Sequence, residues 1–424
     1  MLLLAALLLA QGTSGLTPGQ AAPSVVIFVL DDVAAADLAL YGGPVSTPAL
    51  EGLAGEGVRF TNAYANPSCA PTRRSIQYGH WWTRGNGALC EDAVDSETPT
   101  YFERSLAEAL PGHAALFVGK WHLGSSPSGT DWRCAPIERG YDLWRAGLAG
   151  NVQGCGGFGY LGWQRVDADA SGCSSIQSDE YPPREMRDAF LATWPRLRRP
   201  ALAVVNCNLA HSPFHRPPPD MLPRGYPPTP TARSLYEAMI AAWDRSLGRM
   251  LSVIDLERTL VVVMGDNGTP GQVAPEDLRA KGTTFERGVR VPLVVAGPPV
   301  AVKGSTSDAL VHAVDLWATA VVFGGGSAAG ESRSLLPLLA GKRVLPHEYV
   351  LCGNGWGTPE GDRCVVSAAG LKLRQLDLDG DERVDHEELY DLRADPDELV
   401  DLLQDPLLAP ALAAMRAWAG RVAP

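Results

Sequence analysis

The sequence predicts an α/β fold: a large, mostly parallel sheet sandwiched by helices, with a smaller C-terminal antiparallel sheet plus helix. The first observation is a set of continuous apolar runs that read as buried strands, at 24–30, 113–119, 201–206, 259–265 and 291–297. The second is the helical stretches between these runs, at 48–58, 99–111 and 234–255. Strands that are apolar throughout and alternate with helices are typical of a parallel sheet covered on both faces.

The C-terminal part of the chain has a different pattern. A Gly/Ser-rich segment at 323–332 predicts a loop, and short strand-like pieces and a final helical run follow it. We therefore expect a catalytic α/β domain at 21–325 and a small α+β subdomain at 326–424.

Composition limits the class of protein. The chain has 424 residues, of which 46% are hydrophobic, so it can bury a large core. Its 36 basic and 48 acidic residues give a net charge of -12, which would repel a nucleic acid backbone. Nucleic acid is therefore excluded as an expected partner.

The N-terminus resembles an export signal. The run MLLLAALLLA is too short to cross a bilayer and leads into small and polar residues, although it has no Lys or Arg near Met1. Residues 1–20 are accordingly predicted to be a signal peptide and spacer, and the protein to be exported to a periplasmic, secreted or lumenal location. The alternative is the start of a buried helix. No later run is long enough for a membrane span.

Polar residues follow four of the predicted strands. In an open α/β sheet, ligands bind beyond the carboxyl ends of the strands, so these side chains are candidates for one site. They are Asp31 and Asp32, Lys120 and His122, His211, and Asp266 and Asn267. His211 is preferred to His215 because it lies closer to the strand. Trp121 is expected to point away into the core.

Three carboxylates and one amide oxygen form a set of hard ligands. A single Asp after a strand is more often a helix cap, but Asp31, Asp32, Asp266 and Asn267 together suit Ca²⁺, with Mg²⁺ as the alternative, and do not suit zinc. The sequence therefore predicts a divalent-cation site.

Six segments in order resemble the sulfatase family, which is dependent on formylglycine and belongs to the alkaline phosphatase superfamily. They are Asp31-Asp32, CAPTR at 69–73, GKWHLG at 119–124, AHSP at 210–213, GDNG at 265–268 and KGTTFERGVRVP at 281–292. The resemblance extends from about residue 24 to the segment ELYDLRADPDE. It implies a sulfuric ester hydrolase that releases an alcohol and inorganic sulfate.

The resemblance also implies residue roles. A separate maturation enzyme would convert Cys69 to formylglycine, which would be the nucleophile and also a metal ligand. Arg73 would hold the formylglycine oxygen and Asp31, and His122 would accept a proton. His211 would protonate the leaving oxygen, while Lys120 and Lys281 would hold the sulfate of a sulfated small molecule or glycan.

Other functions remain open at the level of sequence. A phosphodiesterase or phosphonate monoester hydrolase of the same superfamily could use similar ligands. A non-catalytic homologue could keep only the anion pocket, and Cys69 could act as a plain thiol nucleophile. The substrate ester, exo or endo action and oligomeric state are not fixed by the sequence.

Two segments are expected to shape substrate preference. The sequence after CAPTR is unusual for the family and predicts a distinctive wall near Arg74, His80 and Trp81. The Gly-rich loop at 146–163 is a candidate substrate rim, although it could also be an ordinary surface excursion.

The eight cysteines fit an oxidising compartment. Proximity within Gly-rich segments predicts disulfides between Cys155 and Cys173 and between Cys352 and Cys364, with Cys90 and Cys134 as a further pair. Cys207, in an apolar run, is predicted to be a buried free thiol.

One acidic segment partly matches a Ca²⁺-binding EF-hand loop. DLDGDERVDHEE at 377–388 has acidic residues at the first, third, fifth and last positions, but Glu382 replaces the glycine of the sharp turn. A hairpin of the small C-terminal sheet is therefore the favoured interpretation.

Overall fold

The computed structural model describes residues 23–81, 104–124, 131–152, 160–274, 279–328, 330–356 and 360–422. A ten-stranded sheet dominates the fold, and smaller sheets of two and four strands accompany it. The strands are β1 Ser24–Leu30, β2 Gly57–Phe60, β3 Ala63–Tyr64, β4 Ala114–Lys120, β5 Leu143–Leu148, β6 Trp163–Asp169, β7 Gly172–Ser178, β8 Ala201–Asn206, β9 Thr259–Gly265, β10 Leu293–Ala296, β11 Ser305–Ser307, β12 Val311–His312, β13 Tyr349–Asn354, β14 Gly361–Ser367, β15 Leu371–Asp377 and β16 His386–Asp391.

Helices cover both faces of the large sheet. Within the described ranges they are α1 Pro48–Glu56, α2 Cys69–Tyr78, α3 Ala135–Glu138, α4 Pro182–Thr193, α5 Ala232–Leu251, α6 Glu286–Val289, α7 Asp315–Phe323, α8 Leu336–Leu339 and α9 Ala409–Val422. Two extensive apolar clusters separate by strand face, because alternate residues of β1 belong to different clusters: Val26 and Phe28 to one, Val25 and Ile27 to the other. The predicted fold class is confirmed.

The order of strands explains where polar residues gather. The large sheet runs β11-β2-β10-β9-β1-β8-β4-β5-β6-β7, and its four central strands β9, β1, β8 and β4 are mutually parallel. Their carboxyl ends therefore lie at one edge of the sheet. The run at 291–297 was expected in this parallel set, but β10 is antiparallel to both of its neighbours.

The C-terminal sheet is an antiparallel meander of β13 to β16, with α9 packed against it. The turn at 378–385 joins β15 to β16, so strands flank the EF-hand-like segment and the hairpin interpretation is confirmed. Asp377, Asp379 and Asp385 come close together there. The helix expected at 99–111 is wrong in its described part, because residues 104–111 consist of turn and irregular backbone.

The cysteines differ from the prediction. Cys134 bonds Cys173, with their Cα atoms 5.5 Å apart, because β7 packs against the short turn of helix at Trp132–Cys134. This bond contradicts pairing of Cys173 with Cys155 and of Cys134 with Cys90. Cys155 and Cys90 themselves lie outside the described residues.

The second predicted bridge is also wrong. Cys352 and Cys364 face each other across β13 and β14, but both are buried free thiols in a small apolar cluster. Cys207 is a buried free thiol, as predicted. None of the helices in the described ranges is long and apolar enough to cross a membrane.

Candidate active site

The predicted site residues converge at the carboxyl edge of the central strands. Asp31 and Asp32 follow β1, and Asp266 and Asn267 follow β9; all four are buried. Oxygen atoms of Asp31, Asp32 and Asp266 lie within 4.8 Å of one another and of the Cys69 Sγ. The chain therefore brings three carboxylates to one point in the interior.

Cys69 is the first residue of α2. Its Sγ lies 3.2 Å from Asp31 Oδ1 and 3.7 Å from Asp32 Oδ1. Burial, followed by the charge of Asp31, raises the pKa of the Cys69 thiol well above its usual value. A raised pKa disfavours the thiolate form that a plain thiol nucleophile would need.

Arg73 lies one turn further along α2, and three nitrogens of its guanidinium group donate hydrogen bonds within the site. Its Nε and Nη2 donate to Asp266 Oδ2 at 3.1 and 2.7 Å, and its Nη1 donates to the Lys120 carbonyl at 3.1 Å. Nη2 also lies 3.6 Å from Asp31 Oδ2. A residue at i+4 faces the same side of a helix, so α2 delivers both the thiol and the guanidinium to the carboxylates.

Two lysines pair with different carboxylates of the site. Lys120 Nζ, at the end of β4, donates to Asp31 Oδ2 at 2.7 Å and to Asn151 Oδ1 at 2.8 Å. Lys281 Nζ donates to Asp32 Oδ1 at 2.6 Å and lies 3.5 Å from Cys69 Sγ. Burial acts to lower the pKa of Lys281, but Asp32 raises it above its usual value, so the ammonium stays charged.

His122 is buried and follows Lys120 in a left-handed conformation, with φ of 56°. Neither ring nitrogen has a hydrogen-bond partner among the described residues. Burial, reinforced by Lys120 and Arg73, lowers its pKa well below the usual value. A neutral imidazole without a partner is able to accept a proton.

His211 lies beside Asp32, with its Nε2 3.9 Å from Asp32 Oδ2. Its Nδ1 is 2.8 Å from the Ser212 carbonyl, which can only accept, so Nδ1 carries the proton in the neutral ring. Burial lowers the pKa of His211, and Asp32 opposes this effect. His215 instead contacts Tyr160 and Tyr181, which supports the choice of His211.

The donor atoms fit a hard divalent cation. Asn267 Nδ2 donates to Asp32 Oδ1 at 2.8 Å and to the Gly268 carbonyl at 3.1 Å, which leaves its buried Oδ1 without a partner in the described structure. Asp32 has φ of 63°, an uncommon conformation for a residue with a side chain. The carboxylate and amide oxygens are ligands that Ca²⁺ and Mg²⁺ prefer.

The charges of the site support the same conclusion. Asp31 and Asp266 share Arg73, and burial raises the pKa of Asp266 to about 7. Burial also acts to raise the pKa of Asp31, but Lys120 and Arg73 lower it well below its usual range. A divalent cation beside Asp266 would favour its ionised form.

Sequence reasoning missed Asn151, which lies three residues after β5 and accepts the Lys120 hydrogen bond. Its position just beyond a strand end was an available signal. Asn151 belongs to the loop predicted as a substrate rim, of which 153–159 lie outside the described residues. Tyr160, also in that loop, has its hydroxyl 2.7 and 2.8 Å from the carbonyls of Asn208 and His211.

The wall expected near Arg74, His80 and Trp81 stays a prediction. Trp81 makes its ring contacts with His312, His347 and Trp418, none of which is a predicted site residue. Trp121 is buried, as predicted, and its ring packs on Phe117 and Tyr141.

Comparison with known proteins agrees with this geometry. The family model named Sulfatase matches residues 23–324. Human N-acetylgalactosamine-6-sulfatase is 28% identical over 370 residues, which are 76% of this chain and 67% of that protein. Mouse arylsulfatase J is 25% identical over 330 residues, 73% of this chain and 54% of that protein. The chain thus spans about half to two thirds of these relatives.

Solved structures support the fold. A Bacteroides thetaiotaomicron structure from work on glycosaminoglycan metabolism, BT33336S-sulf, has a TM-score of 0.74 at 20% identity and covers 95% of this chain and 99% of that one. BT4656, solved with its substrate D-glucosamine-2-N,6-O-disulfate, has a TM-score of 0.73 at 17% identity, covering 94% and 97%. The resemblance and the enzyme class drawn from the sequence are confirmed at the level of the family.

Proposed function

Because this chain belongs to the sulfatase family, we propose that it hydrolyses a sulfate ester to an alcohol and inorganic sulfate, with formylglycine at position 69 and a divalent cation. The observation that carries this proposal is the position of Cys69. It begins α2 and touches Asp31, Asp32 and Lys281 within one buried cluster. Among the predicted site residues, Cys69 alone was assigned the role of nucleophile.

The cation, Ca²⁺ or Mg²⁺, would be held by Asp31, Asp32, Asp266, Asn267 and residue 69. It would supply positive charge to the non-bridging oxygens of the ester. Asp31, Asp32 and Asp266 are balanced by Arg73, Lys120 and Lys281. One added divalent cation would leave a net charge of about +2 when all these groups are ionised, which complements the single negative charge of a sulfate ester and the sulfate dianion that is released.

The formylglycine, as an aldehyde hydrate, would supply one hydroxyl as nucleophile, whose proton would pass to the neighbouring Asp31 carboxylate, 3.2 Å from the side-chain atom at position 69. The deprotonation of the second hydroxyl would then release the sulfate. Arg73 holds the carboxylates in place. Lys120 and Lys281 bind the sulfate oxygens once they exchange their bonds to Asp31 and Asp32 for the ester. This exchange replaces one anion by another and keeps both ammonium groups paired.

Two histidines move the protons. His122, whose ring nitrogens have no partner in the described structure, accepts the proton of the second hydroxyl. His211 protonates the leaving oxygen from Nε2, because its Nδ1 is committed to the Ser212 carbonyl. This step needs the doubly protonated ring, and burial lowers the pKa of His211. Turnover should therefore favour acidic pH.

A sulfated glycan or small molecule is the proposed substrate class. The relative from human is named for a sulfated amino sugar, and BT4656 was solved with a sulfated glucosamine. A formylglycine-generating enzyme is the proposed maturation partner, and export remains a proposal that rests on residues 1–20.

The decisive experiment is mass spectrometry of the Cys69 peptide together with kinetics. Protein made with a maturation system should show sulfur and two hydrogens exchanged for oxygen at Cys69. The extent of conversion should follow the rate on sulfated glycans or aryl sulfates, and Cys69→Ala should abolish turnover. Full activity with an unmodified thiol would overturn the mechanism. Faster hydrolysis of matched phosphate esters would favour a phosphoesterase instead.

A further inference from the structure

The segment that carries Lys281 rests on the C-terminal sheet. Asp362 of β14 is buried and accepts hydrogen bonds from the backbone N of Thr284 at 2.8 Å and from its hydroxyl at 2.5 Å. Arg374 of β15 donates to Asp362 Oδ2 at 2.9 Å and to the same hydroxyl at 3.0 Å. Asp362, Thr284 and Arg374 thus form a closed, buried triangle.

Thr284 lies three residues after Lys281, and the chain between them is fixed by backbone bonds. Lys281 N donates to the Thr269 carbonyl, and Gly282 N donates to the Pro67 carbonyl, each at 2.8 Å. Gly282 has φ of 90°, the left-handed region that glycine adopts without strain. The second bond ties the Lys281 segment directly to the loop that enters α2 at Cys69.

The neighbouring strand anchors that same loop. Gly353 N, in β13, donates to Asn66 Oδ1 at 3.0 Å, and Ser68 Oγ donates to Asn354 Oδ1 at 2.9 Å. Ser68 directly precedes Cys69. Adjacent strands of the C-terminal sheet therefore hold the segments of Lys281 and Cys69.

We propose that Asp362 is a positioning residue for Lys281, acting through Thr284, so that the C-terminal sheet sets the distance between the Lys281 ammonium and residue 69. This inference rests on the proposed function in assigning Lys281 to the sulfate. A buried network in which every member is paired favours one geometry, because any displacement leaves a charged group unsatisfied. The Lys281 ammonium is then held near residue 69 before the substrate binds.

The first test compares Asp362→Asn with Glu388→Gln. Glu388 pairs with Arg374 in the same network, whereas the hydrogen bonds of Thr284 described above go to Asp362 and Arg374. We expect Asp362→Asn to lower kcat/KM at least tenfold and to weaken competitive inhibition by inorganic sulfate by a similar factor. Glu388→Gln should change both by less than twofold. Equal effects in the two variants would overturn the proposal.

A double-mutant cycle separates positioning from general stability. If Asp362 acts through Lys281, Asp362→Asn should have less than a twofold effect in a Lys281→Ala background. A tenfold loss in both backgrounds would show that Asp362 acts elsewhere and would overturn the proposal. Thr284→Val, which removes the hydroxyl but keeps the side-chain size, should reproduce Asp362→Asn if the latter folds poorly.

Hydrogen exchange gives a readout that needs no turnover. The amides of residues 281–284 should exchange at least tenfold faster in Asp362→Asn than in wild type, well below the melting temperature. Unchanged exchange would overturn the positioning inference. Absence of sulfatase turnover in matured wild-type protein would instead overturn the proposed function, so the two failures are distinguishable.

Discussion

At the scale of single residues, Asp266 combines two tasks. It is a proposed cation ligand, and it also accepts two bonds from the buried Arg73 guanidinium and one from Asp32 N. Asp266→Ala should therefore abolish turnover and also destabilise the fold by about 3–5 kcal/mol, because the Arg73 charge loses its main partner. Urea unfolding and cation titration would measure the two effects.

Asp266→Asn is the matched control, since it keeps the shape and one acceptor oxygen. We expect it to bind the divalent cation at least tenfold more weakly while losing less stability than Asp266→Ala. Near-normal cation content and turnover in both variants would remove Asp266 from the site.

Asn151 affects the site through Lys120. Its Oδ1 accepts a hydrogen bond from the Lys120 ammonium at 2.8 Å, and bonds to charged groups contribute about 1.5–3 kcal/mol. Asn151→Ala should thus lower kcat/KM by roughly ten- to a hundredfold, given about 1.4 kcal/mol per factor of ten. Asn151→Asp, which keeps the acceptor, should retain more activity at neutral pH. Similar rates for wild type and Asn151→Ala would contradict this role.

At the scale of elements, the side chain of Asp244 in α5 caps the N-terminus of α1, although the two helices are far apart in the sequence. Its carboxylate accepts from Ala49 N and Leu50 N, each at 3.0 Å, whereas the side chain of Thr47 makes no cap hydrogen bond. Burial raises the pKa of Asp244 to about 6, so the carboxylate is ionised at pH 7.5. Asp244→Ala should cost about 1–2 kcal/mol there, in the range of a lost helix cap.

Urea unfolding at pH 7.5 would measure that loss. Arg245→Ala, at the neighbouring exposed position of α5, is the control and should cost less than about 0.5 kcal/mol. Equal stability of the Asp244→Ala protein and wild type would contradict the cap.

Elements also show what the sequence could predict. β1, β8 and β9 begin and end at the predicted residues because each is a continuous apolar run. The end of β1 predicts the position of Asp31 and Asp32, and the end of β9 predicts the position of Asp266. Contacts between segments that are far apart in the chain could not be predicted from such local patterns. The Cys134–Cys173 bond joins a turn to β7, and the Asp362–Thr284 contact joins β14 to the segment before α6, so neither has a local sequence signal.

At the scale of the whole molecule, a buried histidine cluster joins the C-terminal region to the helices of the large sheet. Trp81, at the end of the α2 segment, packs on His312, on His347 and on Trp418 of α9. His347 Nε2 lies 2.7 Å from Asp315 Oδ1 at the start of α7. Burial, with the neighbouring His347, lowers the pKa of His312 to about 3.

This cluster should make the protein sensitive to acid. His312 Nδ1 accepts from Val314 N, and its buried Nε2 has no partner among the described residues. Between pH 6.5 and about 3 the unfolded chain binds a proton at this position and the folded chain does not, so stability falls as pH falls through this window. At about 1.4 kcal/mol for each pH unit, His312 should cost about 3 kcal/mol at pH 4.5 relative to pH 7.

His312→Asn, whose Oδ1 is an acceptor that could replace Nδ1, should therefore lose about 3 kcal/mol less stability than wild type between pH 7 and pH 4.5. Urea unfolding at the two pH values measures this difference and cancels any cost of the substitution that is independent of pH. His386→Asn is the control, because the His386 side chain is 53% exposed and makes its ion-pair contact with Glu388 at the surface. A stability loss in His312→Asn equal to that of wild type would show that acid acts on the fold at other groups.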